Sequence, residues 1–136
     1  MSPSWLWCLK IGAAVVLIDV AVLVLGQSQG PDSDLRGFLD TLDLTANVML
    51  FAYAGYRTGL QTGRATAAAE AGVIASLLPA LVAAALPVVE PGLAGSPEPT
   101  PLLNRIVGAI AFNIVLGGIS AWLSGWIASR RRPSTR

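Results

Sequence analysis

Asp19, Asn47 and Asn113 place one carboxyl and two amides inside three of the four long apolar runs of this 136-residue chain. An ionised side chain at the centre of a membrane helix costs about 2.5 to 3.5 kcal/mol on insertion scales, so it is a functional candidate by default. At about 1.5 Å per residue, Asp19 falls about 5 Å outward of the middle of its run, Asn47 about 4 Å and Asn113 about 3 Å. Facing inward, the three would meet at one depth. The chemistry of such a cluster is proton or cation handling: the carboxyl exchanges a proton for a cation, and the amides coordinate that cation or hold the acid in one rotamer. The structural reading is a clasp in which Asp19 bonds both amides and ties the helices together, at about 1–2 kcal/mol or less per contact. A third reading pairs Asp19 with another subunit. Asp43, one helical turn from Asn47, is expected beyond the cluster, toward the outer surface.

Other chemistries are excluded by composition. Histidine is absent, which removes imidazole-ligated haem or chlorophyll, His-based zinc sites and a Ser-His-Asp triad. Cys8 is the only cysteine, so no intramolecular disulfide and no multi-thiolate metal site can form. No cofactor is expected; bound lipid or pigment is left open. The stretch Arg57–Arg64 is rich in glycine but lacks the phosphate-loop signature and a preceding strand. Basic residues do not alternate with aromatics, so nucleic acid is not an expected partner. An enzyme is not expected either: Asp19 and Asp43 fall on different helices with no evident partner base.

The elements that must position these residues follow from hydropathy. The chain is 54% hydrophobic and 12% charged, against roughly 25% charged in soluble domains. Continuous apolar runs, rather than short alternating ones, select helices over a barrel. The expected fold is an all-α integral membrane protein, a four-helix bundle with spans at roughly 5–25, 39–56, 67–89 and 102–128. One domain covers 1–129, and 130–136 is a basic cytoplasmic tail. The first run is read as a retained helix rather than a signal peptide, because Asp19 interrupts it and no A-x-A-like site follows. Leu35, Phe38, Leu39 and Leu42 keep the helical period and read as an interfacial ramp into the second span. That span is the least apolar, since only Leu44–Tyr56 is free of charge. Pro79 predicts a kink in the third span, and the prolines of 90–101 predict an extended surface connection.

Charge orients the spans. Lys10, Arg57, Arg64, Arg130, Arg131, Arg132 and Arg136 fall on one side, and only Arg36 and Arg105 on the other. The positive-inside rule then puts both termini in the cytoplasm, in the inner membrane of a bacterium. Trp5, Trp7, Tyr53, Tyr56, Trp122 and Trp126 lie toward that cytoplasmic side, as interface anchors do.

Small residues recur every fourth position. Gly55, Gly59 and Gly63 form one stripe, continued by Ala67, Ala71 and Ala75. Ala109, Asn113, Gly117, Ala121, Gly125 and Ser129 form another. Such stripes let helix backbones approach closely, within the chain or against a partner. The residues identify no family. The functional expectation is a non-enzymatic accessory or scaffold subunit, packed among other membrane proteins or with copies of itself. The alternative is a small homo-oligomeric proton- or cation-coupled transporter or channel that uses Asp19.

Overall fold

The computed structural model describes residues 4–27, 34–89 and 102–131. They form four helices: α1 (Ser4–Gln27), α2 (Asp34–Thr62), α3 (Ala65–Val89) and α4 (Leu102–Arg130). Three of them carry stretches long and apolar enough to cross a membrane: Trp5–Gln27, Ala65–Leu86 and Leu103–Arg130. α2 does not, because Asp34, Arg36, Asp40, Asp43 and Arg57 interrupt it. The proline-rich connection expected at 90–101 and the tail beyond Arg131 lie outside the described residues.

Two boundaries differ from the sequence expectation. The ramp and the second span are one helix from Asp34 to Thr62. Thr41 and Thr45 permit this by donating their hydroxyls to the carbonyls of Gly37 (2.8 Å) and Thr45's own predecessor Thr41 (2.7 Å), which hides a polar group within the helix. The loop expected over 57–64 shrinks to Gly63 and Arg64. Gly63 therefore does not pack between helices, as its place in the stripe suggested. It sits just past the end of α2 at φ 69° and donates its N–H to the Gly59 carbonyl at 2.8 Å. That is the left-handed cap which glycine adopts without a Cβ penalty. The Arg64 N–H bonds Thr62 Oγ1 at 3.2 Å, and the Arg64 carbonyl accepts from Ala68 at 3.3 Å to open α3.

The helices pack as a flattened group. α2 and α3 pack on each other and on both remaining helices, whereas the α1 and α4 backbones make no close approach. The core joins Cys8 and Val15 of α1, Phe51 of α2 and Ala71 and Ala75 of α3. α3 stays helical through Pro79, which is fully buried. Proline cannot donate to the carbonyl four residues back, here that of Ala75, and the α1 backbone at Gly12 lies against that same carbonyl. Around this core the outer surface is apolar: Leu17 is 71% exposed, Met49 68% and Leu81 62%. An exposed apolar surface of this extent, with three helices long and apolar enough to cross a bilayer, suggests a membrane protein.

Aromatic and basic side chains gather at one end. The Trp7 and Tyr53 rings lie 5.6 Å apart, the Arg57 guanidinium sits 4.6 Å from the Trp7 ring, and that of Arg130 sits 3.8 Å from the Trp126 ring. These are cation–π distances.

Candidate functional site

Small residues set the spacing in one half of the molecule. A Cβ on Gly55 would collide with the Ala121 backbone, and one on Gly59 would stand 2.5 Å from the Gly125 carbonyl oxygen. α2 and α4 thus run parallel, in backbone contact at these two levels. α3 fits antiparallel against α4, with Gly72 on Gly117, Gly117 on Ser76 and Gly125 on Ala68. Gly55, Gly59, Gly117, Ala121 and Gly125 from the two expected stripes are therefore spent on packing within the chain. The expected Ala67, Ala71, Ala75 stripe is only part of α3's role. Ala71 and Ala75 face the α1 side of the core, and the contact with α4 is made by Ala68, Gly72 and Ser76. That row has the same four-residue spacing and was legible as another small-residue stripe.

The same register carries the polar residues. Asn47 and Asn113 stand eight residues before Gly55 and Ala121 respectively, which brings them level across the parallel pair. The Asn47 side-chain amide donates to Asp19 Oδ1 at 2.9 Å, linking α2 to α1. Asn113 donates instead to the carbonyl of Ala109 in its own helix, at 3.0 Å. The three do not form one closed hydrogen-bonded cluster. Instead they line one cavity of about 360 Å³, and Asp43 lines it with them. Asp43, expected one turn beyond the cluster, shares its cavity because one helical turn keeps it on the same face of α2 as Asn47. Its carboxyl thus joins that of Asp19 in the lining of one cavity.

The remaining wall is apolar. Leu23 of α1, Val82 and Leu86 of α3, and Phe112 and Leu116 of α4 complete it. All four helices contribute, including α1 and α4, whose backbones make no close approach to each other. The cavity lies within one chain and needs no second copy to form.

Most polar side chains in these helices are silent. Thr41, Thr45, Thr58, Thr62, Ser76, Ser124 and Ser129 each donate to a carbonyl of their own helix. Asp19, Asp43 and Asn47 behave differently. Asn47 is 8% exposed, and its Oδ1 and the Oδ1 of Asp43 are buried with no hydrogen-bond partner. A buried acceptor left unpaired costs about 1–3 kcal/mol, so these two residues are held at a cost that the bonded Thr and Ser side chains do not carry. Among the described residues no three acids, cysteines or histidines group as a metal site.

The chain matches no protein-family model, and neither a curated protein nor a solved structure matches it.

Proposed function

We propose that the chain is a four-span bacterial inner-membrane protein with both termini cytoplasmic, and that it exchanges protons for cations at the cavity shared by Asp19, Asp43, Asn47 and Asn113. The observation that carries this reading is that cavity, which two carboxyls and two side-chain amides line together. Ionisable residues at membrane depth mark ion and proton pathways when they face an internal cavity. Exchange of one monovalent cation for one proton leaves the site's charge unchanged, so the carboxyl pair can alternate between the two.

The same reading accounts for α2. Asp43 and Asn47 line the cavity, which leaves Leu42 and Met49 for the lipid face. α2 then crosses beside three more apolar neighbours, and the Lys and Arg residues of both termini and of the Gly63 turn fall on one side. A bend at Pro79 gives Val82, Ala83 and Leu86 their place on the cavity wall. The accessory-subunit reading drew on small-residue faces, and these are occupied by helices of the same chain.

The test is reconstitution into liposomes with an entrapped pH indicator, with Na⁺, K⁺ and a non-permeant organic cation added outside in turn. At least one should drive proton efflux, and Asp19→Asn should abolish it at normal expression, helical content and native mass. Traces identical to empty liposomes for every cation would sink the reading. A native mass shared in fixed ratio with other polypeptides, with Asp19→Asn losing assembly, would point to the accessory role.

A further inference from the structure

We infer that the ligand of this cavity is an organic cation that carries N–H donors on an apolar body, such as an alkyl- or arylguanidinium or a primary ammonium; this rests on the exchange reading above. The first argument is size. A bare ion with the volume of a water molecule needs roughly 30 Å³, whereas the cavity offers about 360 Å³, within the roughly 300–1,000 Å³ of small-molecule pockets. The second is the character of the lining. Asp19 and Asp43 both line the cavity, and ionised carboxylates carry negative charge and only accept hydrogen bonds. A cation with several N–H groups answers both, as a guanidinium does with its fixed fork.

The third argument is the wall. Leu23, Val82, Leu86, Phe112 and Leu116 surround the polar face. They would bury an apolar body, and Phe112 adds an aromatic ring to that wall. An inorganic ion would leave that surface without a role.

The experiment uses the whole chain in lipid nanodiscs and titrates four probes by calorimetry. Benzylguanidinium carries the ring, charge and donors; benzyltrimethylammonium keeps ring and charge without N–H; Na⁺ and K⁺ keep the charge alone. Benzylguanidinium should bind saturably and at least tenfold tighter than benzyltrimethylammonium. Asp19→Asn and Asp43→Asn should each weaken it at least tenfold. Leu86→Trp fills the wall without touching the carboxyls, so it tests the cavity should an acid variant fail to fold; it should remove benzylguanidinium binding and leave the native mass unchanged. Equal affinity for the two organic cations would overturn the donor argument. Proton release on Na⁺ or K⁺ alone, with no benzylguanidinium binding, would overturn the inference and leave the exchange reading standing. Failure of every cation to bind or to displace protons would overturn both.

Discussion

Gly55 of α2 touches the Ala121 backbone of α4, yet two turns away on the same two helices Asn47 and Asn113 look onto an open cavity. The helices are the same and so is their register; only the side chains change. Where the positions are Gly, Ala and Ser, backbones meet and nothing else fits. Where they become Asp, Asn, Leu and Phe, the helices stand apart around a polar-lined space. Packing in hydrocarbon has no hydrophobic driving force between helices and depends on close contact. The tight half can therefore hold the fold while the open half keeps unpaired polar atoms. Cohesion and chemistry are separated along the helix axis.

Substitutions that exchange the character of the two halves test this separation. The largest effect is expected from Gly55→Leu, whose side chain has only the Ala121 backbone to meet. Overpacking costs about 1–3 kcal/mol even where side chains can shift, and a backbone cannot, so folded monodisperse protein should be lost in size-exclusion and circular-dichroism measurements. A Gly55→Leu variant that folds normally would break the comparison. Next, Asn47→Leu removes the bond to Asp19 and the orphaned oxygen together. It should abolish cation-driven proton flux while the melting free energy moves by no more than about 1–2 kcal/mol; a variant that unfolds would make Asn47 part of the scaffold. Arg57→Ala removes the guanidinium from Trp7 at the tight end and should cost about 0.5–1 kcal/mol in a denaturant melt, with flux unaltered. Gly108→Ala should be the quietest, since nothing lies within 4 Å of the added methyl group. Its melt should be unchanged or slightly stabilised by the better helix propensity of alanine.

Much of this arrangement was legible in the residues. Four helices in order followed from the apolar runs, and depth arithmetic set Asp19, Asn47 and Asn113 at one level, where they share a cavity. What the sequence did not disclose was azimuth. In an alanine-rich helix such as α3, the rows 67-71-75 and 68-72-76 have equal spacing, and only the neighbours decide which row meets α4. Asp43's share in the cavity was missed because depth was weighed without the face of the helix. Gly63 was misread because stripe spacing continues across a helix end, whereas its positive φ belongs to the backbone. The ramp before α2 was separated from it because charge was taken as a break, although Thr41 and Thr45 bond their own helix there and keep it continuous.

The two-residue joint at Gly63 and Arg64 also bears on biogenesis. Closing a chain over so few residues costs little entropy, so α2 and α3 can pair as soon as both have left the ribosome. On the proposed topology, the helix least able to partition into lipid is tethered to one that partitions readily, and the pair enters as a hairpin. Lengthening this joint with a flexible Gly-Ser insert should then lower the fraction of chains in which α2 becomes membrane-embedded, read by glycosylation mapping in microsomes, while α1 and α4 insert as before.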